Sequence, residues 1–418
     1  MSFGRLAVDW EERINFNRMR KERLEKAQKA LKNHGLEAAL LLRGDNQRYA
    51  AHNTGTLRNQ QPGVRYVFLP AEGTPTLFEH GMWFSYFKNN CPWLEVKRAV
   101  VTAGGGGAAA AFPQPAFEKQ LKAFAEQIKE EMKLHGIKSE TLGVDLYNRP
   151  LIQALENAGI KVSMEGGAAL MEARTFKTKD EIECLRMIAS MVEAGWGKVK
   201  EMIRPGVTEN QLKAEFLREL WLLGADFAGI ADIYSGPRTH ANIVVSSDRI
   251  IRAGDIIIMH ACNNSYMGYR ACYYRTFVCG RANQAQKDAY QTCKDYLYSA
   301  LKLVKPGTTT KELAEKFPKA EEFGYPDEAS AIWLQWGHGI GLSLDEPPHV
   351  TRLWSLDYPE TLKAGMTLAL ETWWPVKEND PTYPYGQSIR LEEVVAITEN
   401  GYDLLTRWPI DEITECTF

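Results

Sequence analysis

Apolar residues in the first part of the chain follow helical spacing in some stretches and cluster as in strands in others. Over residues 15–34 they recur every three or four positions until Gly35, which is a helix stop signal. A second amphipathic helix is predicted at 117–135. Strands are predicted at 38–42, 64–69, 75–79 and 141–144. This order of elements predicts an α/β domain over residues 1–172.

The composition becomes more charged after this domain, where a new helix is predicted to start. Thr178 is suited to be its N-cap, with Glu181 completing a capping box. We place the boundary with a second domain, 173–418, at this point. Within that domain, IRPGVTENQL at 203–212 and VKPGTTTKEL at 304–313 form a weak repeat. Two copies about a hundred residues apart indicate duplicated halves related by a pseudo-twofold axis, since a solenoid needs several shorter repeats.

The stretch 254–280 has the pattern of a β-hairpin that carries polar side chains inward. Its parts are an apolar run at 256–259, a polar break at 263–265, a turn at Gly268 and a run of aromatic and β-branched residues at 273–278. The inward side chains are His260, Cys262 and Cys272. A hydrolase hairpin of this shape would most simply carry carboxylates that hold metal ions, so these residues bear directly on the chemistry.

Composition narrows the classes of function. With 44% hydrophobic and 25% charged residues we expect a globular protein, and no apolar run approaches the roughly 20 residues needed to cross a bilayer. A net charge of −3 without a basic cluster argues against a nucleic-acid partner. Seven cysteines without paired short spacings indicate a reducing compartment, and with no signal-peptide pattern we expect a cytoplasmic protein. The segment AGGGGAAAA at 103–111 lacks a Walker lysine and is predicted to be a mobile loop or lid.

Four pieces of the second domain carry the side chains best suited to chemistry. They are SGPRTH at 235–240, the hairpin, GHGIG at 337–341 followed by Asp345, and two strands that carry Glu371 and Glu392. His338 lies between glycines, where another backbone is expected to approach closely. Each glutamate lies in an otherwise apolar strand, where an unpaired carboxylate is costly. These features favour a functional role over a structural one.

The motifs resemble those of the pita-bread family that includes creatinase, aminopeptidase P, prolidase and methionine aminopeptidase. GHGIG, GMTLALE and IRLEEVVAITENG stand in the order that the family has, behind a linker at 179–183. The resemblance implies an α/β protein of two domains: a creatinase-type N-terminal domain at 1–172 and a pita-bread, pseudo-twofold α+β catalytic domain at 173–418. SGPRT at 235–239 and DEPP at 345–348 are most similar to the dimethylsulfoniopropionate lyase branch.

The resemblance also implies where metal ligands would lie. Metallopeptidases of this family hold two divalent ions with two Asp, one His and two Glu, and the last three fall on His338, Glu371 and Glu392. The Asp positions fall on His260 and Cys272, and a third Asp of the lyase branch falls on Cys262. Two divalent ions carry a charge of +4, which two glutamates do not neutralise in a partly buried site. A dinuclear hydrolytic centre is therefore not expected.

Two arrangements remain open. One transition-metal ion, zinc or iron, would be held by ligands drawn from His260, Cys272, His338, Glu371 and Glu392. The arrangement that we favour has no metal or other cofactor, as in creatinase. In it His338, Glu371, Glu392 and His260 transfer protons, because two close carboxyl groups shift their pKa values apart. Asp345 is a further candidate base, since the resemblance aligns it with an acidic residue of the lyase branch.

The substrate is expected to be a small molecule bound by polar and aromatic groups around these residues. His240, Arg238 and Arg390 are the candidates for polar contacts, the two arginines because a guanidinium binds a carboxylate through two hydrogen bonds. Aromatic faces attract onium cations, which makes a cage conceivable, with ordinary strand packing as the alternative. The candidate rings are those of Tyr273, Tyr274, Trp336, Trp373 and Trp374.

Our leading hypothesis is an enzyme, a lyase or hydrolase and not a typical dinuclear peptidase, that cleaves a C–S or C–N bond of a small cationic acid. One alternative is a metallopeptidase of the Xaa-Pro type with an unusual metal set. The other is a binding module that has lost catalysis. The resemblance further implies a homodimer, in which the stretch 80–97 of one chain would cover the site of its partner.

Overall fold

A computed structural model describes residues 13–52, 64–100, 113–227, 229–240, 244–331, 335–376 and 386–418. The chain forms two compact units, one of residues Asn15–Arg174 and one that contains Thr175–Phe418. Within the described ranges, no helix is both long and apolar enough to cross a membrane. The glycine-rich segment 103–111 lies outside the described residues. The homodimer, the covering role of 80–97 and the cytoplasmic location stay predictions.

The first unit is built on a six-stranded sheet with the strand order β4-β3-β2-β1-β5-β6. Its strands are β1 (Ala38–Leu41), β2 (Tyr66–Pro70), β3 (Thr76–Glu79), β4 (Glu95–Arg98), β5 (Thr141–Val144) and β6 (Lys161–Ser163). Its helices are α1 (Phe16–Asn33), α2 (Gly44–Ala51), α3 (Gly81–Asn90), α4 (Gln114–Leu134), α5 (Arg149–Asn157) and α6 (Glu165–Thr175), which runs to the boundary. The predicted strands, and the predicted helices at 15–34 and 117–135, are confirmed.

Helix α4 covers the sheet of the first unit with its apolar stripe. Phe124 and Ile128 are fully buried and pack in one cluster with Phe68 of β2 and Leu142 of β5. Burying the apolar side chains of such a stripe stabilises the unit by about 1.5–3 kcal/mol each. The apolar stripe predicted from the sequence is therefore the face of the helix that contacts the sheet.

The second unit contains two larger sheets flanked by helices. Its helices are α7 (Lys179–Met202), α8 (Glu209–Leu222), α9 (Gln284–Leu301) and α10 (Thr310–Ala314), with 3₁₀ turns at Gly236–His240 and Ala320–Phe323. One sheet has the order β17-β11-β8-β7, with β7 (Ile230–Ser235), β8 (Ile256–Cys262), β11 (Tyr274–Cys279) and β17 (Thr414–Cys416). The other has the order β13-β12-β14-β15-β16, with β12 (Gln335–Gly339), β13 (Glu346–Thr351), β14 (Thr367–Val376), β15 (Gln387–Ile397) and β16 (Tyr402–Leu404).

The two copies of the sequence repeat adopt the same local structure. In both, a glycine follows proline with a positive φ, 96° at Gly206 and 92° at Gly307, a backbone conformation that side chains with a Cβ disfavour. Two residues later a threonine, Thr208 or Thr309, caps the next helix with a complete capping box. The predicted duplication is therefore visible at these helix starts.

The hairpin at 254–280 is confirmed as the antiparallel pair β8 and β11. A short ribbon of β9 (Ser265–Tyr266) and β10 (Tyr269–Arg270) joins them. Its turn residues Met267 and Gly268 have φ values of 52° and 82°, and two positive φ angles are typical of the type I′ turn that suits a two-residue hairpin loop.

Side chains of β8 alternate between a helix-covered face and an opposite face. Ile257, Met259 and Ala261 belong to a buried cluster with Trp196 of α7 and Phe216 of α8. The residues between them point to the other side, because successive side chains of a strand alternate. That other side carries His260 and Cys262, and it is the face on which the candidate site is built.

His52, in the first unit, is expected to make the stability of the fold depend on pH. It follows α2 in a left-handed conformation, and its Nδ1 lies 2.8 Å from Nη2 of Arg23, from which it accepts a hydrogen bond. Burial lowers the pKa of His52 to about 2, and the charges of Arg23, Arg48 and Arg20 add to this effect. In the unfolded chain the imidazole takes up a proton below about pH 6.5. Stability is therefore lost as the pH falls below that value.

We expect the wild-type first unit to lose up to about 1.4 kcal/mol of unfolding free energy per pH unit below about pH 6.5 because of His52. The variant His52→Asn should lose less over the same range. The measurement is urea unfolding at about pH 7 and about pH 5. His34→Asn is a control of opposite sign, because hydrogen bonding to Glu165 raises the pKa of His34 and its stabilisation is present at low pH. Equal pH slopes for wild type and His52→Asn would contradict the prediction.

Candidate active site

Two sheets of the second unit meet at strands β11 and β15, and the faces that are not covered by helices share one cluster of polar side chains. The Oγ1 of Thr276 donates to the carbonyl oxygen of Arg390 at 2.7 Å and accepts from its amide nitrogen at 2.9 Å. The cluster consists of Tyr234 on β7, His260 and Cys262 on β8, Cys272, Tyr274 on β11, His338 on β12, Glu371 on β14, and Arg390 and Glu392 on β15. The structure thus brings together most of the residues that the sequence predicts.

Glu371 and Glu392 lie directly opposite each other on neighbouring strands. Glu392 is completely buried, whereas Glu371 keeps some exposure. Burial, and then the charge of Glu371, hold the pKa of Glu392 well above its usual range. Burial also raises the pKa of Glu371, but His338 and Arg390 oppose this. Two facing carboxyl groups with different surroundings can hold one proton between them, which provides an acid and a base.

His338 is held in one orientation by close backbone packing. A Cβ at Gly337 would lie 2.7 Å from the carbonyl oxygen of Ala369, and one at Gly339 would collide with that of Pro347. The Nδ1 of His338 donates to the carbonyl oxygen of Gly339 at 2.9 Å. This bond selects the tautomer in which Nε2 is the basic nitrogen. His338 therefore offers a base or a ligand atom at Nε2.

Asp345 lies at the rim of this cluster and not inside it. Its Oδ1 is 3.8 Å from Nδ1 of His338, and its side chain is 57% exposed. The contact is on the side of the ring away from Nε2. Asp345 as the base that removes a substrate proton stays a prediction.

Two thiols face each other beside the carboxyl pair. Cys262 and Cys272 are directly opposed across the hairpin, next to the hydrogen bond from the Ala261 amide to the Tyr273 carbonyl (3.0 Å), and their Sγ atoms are 2.7 Å apart. Together with a carboxylate oxygen of Glu392, these sulfurs form a group within 4.8 Å. Burial raises the pKa of Cys262, but Cys272 and His260 more than offset this, so it lies well below the usual value. The pKa of Cys272 lies well above the usual value of a thiol, and burial is the largest cause.

Tyr274 is enclosed by two charged or polar groups. The ring of His260 stacks on it at 4.3 Å and 9°, and the guanidinium of Arg390 lies 5.5 Å from its centroid. Neither ring nitrogen of His260 has a hydrogen-bond partner among the described residues, although the side chain is buried. Tyr274 lies at the site as predicted, but its ring already contacts protein groups.

Two of the predicted aromatic contacts are wrong, because strand alternation turns these rings away from the site. Tyr273 packs against Trp196 at 4.4 Å in the helix-covered core, and its hydroxyl donates to Glu193 at 3.0 Å. Trp374 packs against Tyr296 of α9, with ring centroids 5.4 Å apart. Each is the chain neighbour of a residue that does face the site.

Trp373 and His240 lie on the site face, as predicted. Their ring centroids are 5.8 Å apart, and Phe323 stacks on Trp373 at 4.7 Å. Trp336 stacks on Phe317 at 5.1 Å. The indole nitrogens of Trp336 and Trp373 are buried and have no hydrogen-bond partner in the part of the chain that the structure describes. They are donors for which a ligand would be a partner.

Arg238 forms its contacts within the protein, and its contact with a substrate stays a prediction. Its Nε lies 3.2 Å from Oε2 of the buried Glu209, and its Nη2 donates to the carbonyl oxygen of Val245. Glu209 also accepts hydrogen bonds from Ser235, at 2.8 Å. The charge of Arg238 is thus compensated within the protein, and the side chain fixes the 3₁₀ turn that carries His240.

Sequence reasoning missed two members of the site. The hydroxyl of Tyr234 is buried without a hydrogen-bond partner among the described residues, close enough to Arg390 and Cys262 to feel their charge, and burial raises its pKa. The only signal for it is its position just before Ser235. His349 lies opposite His338 across β12 and β13, and burial together with His338 lowers its pKa.

Comparison with known proteins identifies the family of the chain. Residues 183–399, just over half of the chain, match the profile described as metallopeptidase family M24. The chain belongs to family M24. It is 29% identical over 302 residues to the Xaa-Pro dipeptidase of Pyrococcus furiosus, which covers 68% of this chain and 82% of that protein. It is 24% identical over 428 residues to the dimethylsulfoniopropionate lyase DddP of Roseovarius nubinhibens, covering 98% of this chain and 91% of the lyase.

Solved structures of M24 proteins share the whole fold. The dipeptidase PepE of Mycobacterium ulcerans superposes with a TM-score of 0.72 at 20% identity, covering 97% of this chain and all of that one. The X-Pro aminopeptidase of Thermotoga maritima also gives 0.72 at 20% identity, covering 94% and 99%. At this identity the likeness establishes the fold, and the predicted pita-bread α/β architecture is confirmed.

The side chains of this site do not fit the pair of divalent ions that the family implies. Glu371 and Glu392 are the two carboxylates at its centre, and the other candidate ligands are the thiols of Cys262 and Cys272 and the imidazoles of His260 and His338. The group that converges most tightly contains two thiols and one carboxylate, and thiols suit softer ions than the oxygen ligands of a carboxylate-bridged pair do. A two-metal centre is therefore not part of the chemistry that we infer for this site.

Arg275 of β11 forms a buried ion pair that holds β15 in place. Its Nη2 lies 2.8 Å from Oε1 of Glu393, both side chains are 1% exposed, and its Nη1 donates to the carbonyl oxygen of Glu392. We expect Arg275→Met to cost about 3–5 kcal/mol of unfolding free energy, because it leaves the Glu393 carboxylate buried without its partner. The measurement is chemical denaturation.

The double variant Arg275→Met with Glu393→Met is the matched control. It removes both charges, so we expect it to recover most of the loss. A double variant as unstable as Arg275→Met alone would contradict the explanation by an uncompensated charge.

Proposed function

We propose that this M24 protein is not a peptidase but cleaves a C–S or C–N bond of a small organic acid by proton transfer. The observation that carries the proposal is that Glu371 and Glu392 face each other on neighbouring strands. Beside them, the hydrogen bond from Nδ1 of His338 to Gly339 leaves Nε2 as the basic nitrogen. Such a group supplies a base and an acid without a second pair of carboxylates.

Glu371 is the group best placed to act as the base. It is the more exposed member of the carboxyl pair, so a substrate can reach it. Burial raises its pKa towards the range in which a carboxylate is an effective base near neutral pH. Glu392, more deeply buried, keeps its proton more readily and does not compete for the same role.

In the elimination that we propose, Glu371 removes the proton on the carbon next to the substrate carboxylate. The electron pair of that C–H bond forms a C=C bond, and the bond between the next carbon and the sulfur or nitrogen breaks. That bond's electron pair leaves with the heteroatom, so a sulfonium departs as a neutral sulfide. The proton remains on Glu371 and passes to solvent, and no oxidant or reductant is consumed.

Substrate orientation follows from the charged and polar groups around Glu371. Arg390 lies near enough to Glu371 to oppose the rise of its pKa, which places a cation beside the reacting centre. A guanidinium binds a carboxylate through two hydrogen bonds and stabilises the charge that develops when the neighbouring carbon loses its proton. The indole nitrogen of Trp373 is a further donor on the same face.

The extent of the alignment supports the lyase over cleavage of Xaa-Pro dipeptides. The alignment with the dimethylsulfoniopropionate lyase covers 98% of this chain, whereas that with the Xaa-Pro dipeptidase covers 68%. The second candidate function, cleavage of Xaa-Pro dipeptides, is favoured by the higher identity of 29% in that alignment. We favour the lyase because its elimination needs only a base beside a cation, which Glu371 and Arg390 supply.

The test is turnover of dimethylsulfoniopropionate, creatine and an Xaa-Pro dipeptide by the full chain, with the products quantified. We expect release of a neutral sulfide, and we expect Glu371→Gln to lower kcat by about 10²–10⁴-fold with a small change in KM, since the base acts in the transition state. Glu399→Gln is the matched control, because Glu399 is an exposed residue just beyond β15. It should retain the wild-type kcat.

Cleavage of the dipeptide without turnover of either small acid would replace the proposal by the second candidate. Absence of turnover on all three substrates, with a folded protein, would favour a binding module. Unchanged turnover in Glu371→Gln would overturn the assignment of the base.

A further inference from the structure

The thiol pair beside Glu392 plays no part in the proposed reaction, yet its surroundings are those of a binding site. Cys262, Cys272 and Glu392 bring two sulfurs and a carboxylate oxygen within 4.8 Å of one another, and all three side chains are buried. His260 lies on the same strand face, two residues before Cys262. Cysteine, glutamate and histidine side chains are all metal ligands.

The second observation is that the oxygen and nitrogen atoms of this group are unsatisfied. Glu392 is 0% exposed, and neither of its oxygens has a hydrogen-bond partner of good geometry among the described residues, although the Cys272 thiol lies beside it. Both ring nitrogens of His260, which is 1% exposed, are likewise without a hydrogen-bond partner of good geometry in the described ranges, although the Cys262 thiol lies beside the ring. Buried polar atoms are normally satisfied, so each of these requires an explanation.

We propose that Cys262, Cys272 and Glu392 hold one thiophilic divalent ion, with His260 placed beside it as a further nitrogen donor. Thiolate and imidazole ligands suit zinc or a similar soft to borderline ion, and one ion of this kind needs four ligands. The charge also agrees with a single ion. Two thiolates and one carboxylate bring −3, which one divalent ion reduces to −1.

A disulfide between the two cysteines is the competing explanation. Their sulfurs are 2.7 Å apart, longer than the covalent bond of about 2.05 Å. Two sulfurs bound to one zinc ion at about 2.3 Å each would be about 3.8 Å apart, so the thiols would have to separate by about 1 Å. Distance alone does not decide the question. A disulfide, however, would leave the oxygens of Glu392 and the nitrogens of His260 unsatisfied, whereas an ion gives them a partner.

The inference is independent of the proposed reaction, because it concerns binding and does not require turnover. It also differs from the two-ion centre of the M24 peptidases, since it uses one ion and two sulfur ligands. When the ion binds, each coordinating thiol and the Glu392 carboxyl group release their protons to solvent, and no electron is transferred.

The experiment uses the full chain, reduced and freed of metal with a chelator under anaerobic conditions, and titrates it with Co²⁺. We expect a sulfur-to-cobalt charge-transfer absorption band that saturates at one ion per chain and is lost when Zn²⁺ is added in excess. Cys262→Ser and Cys272→Ser should each abolish or strongly weaken the band. Glu392→Gln should keep a band, because both thiols remain, but should require more Co²⁺ to saturate it.

Cys293→Ser is the matched control. Cys293 is a buried thiol whose Sγ lies 2.9 Å from Oγ1 of Thr372, on the face of β14 away from the site, and a serine hydroxyl can make the same hydrogen bond. Its titration should equal that of the wild type. Thermal unfolding gives a second readout, since an ion that binds only the folded chain raises Tm in wild type and control but not in Cys262→Ser.

Absence of the band in a folded chain with both thiols free would overturn the inference, as would a band that survives in both cysteine variants. Recovery of the pair as a disulfide after reduction, detected by mass, would also overturn it and assign the pair a redox role. A chain that binds Co²⁺ as expected but turns over no substrate would support the ion site while removing the proposed function, so the two failures are distinguishable.

Discussion

The junction between β11 and β15 fixes the distance between the thiol pair and the carboxyl pair. Neighbouring residues of β11 hold β15 from two sides: Arg275 binds the carbonyl oxygen of Glu392 and the carboxylate of Glu393, and Thr276 binds the main chain of Arg390. These contacts are buried, where hydrogen bonds and ion pairs are strong and costly to break. Side chains that project from β15 into the site therefore have little freedom to shift, which is the condition for a preorganised centre.

Within this frame, burial distinguishes two residues of the same type. Glu371 and Glu392 face each other in register, but Glu392 is enclosed with the thiols whereas Glu371 remains accessible. The accessible group can exchange a proton with a substrate, and the enclosed group can serve as a ligand or hold a proton. The elimination needs no acid when the heteroatom leaves as a neutral sulfide, so Glu371 can act as the base while Glu392 binds the ion, and the two proposals are compatible in one site.

Local sequence signals predicted the fold and much of the site, because they depend on neighbouring residues. The capping box at Thr178, apolar periodicity and the turn at Gly268 need only a few positions, and each is found in the structure. The cysteine pair illustrates the limit: its partners are ten residues apart, and only the register of the hairpin makes Cys262 face Cys272. Tyr234 had only its position just before Ser235 as a signal, since its place in the site depends on the pairing of β7 with β8. His349 had none, because only the register of β13 against β12 sets it opposite His338.

The alternation of side chains along each strand limits how the site can recognise a cation. Of the adjacent pairs Tyr273 with Tyr274 and Trp373 with Trp374, one ring each must turn away, and Tyr274 is already in contact with His260. One ring contributes about 0.5–2 kcal/mol to binding a cation, while a charge beside a carboxylate at 4 Å gains about 4 kcal/mol at an effective dielectric constant near 20. Preference for an onium substrate would therefore come mainly from the charge of Glu371 and only secondarily from an aromatic cage.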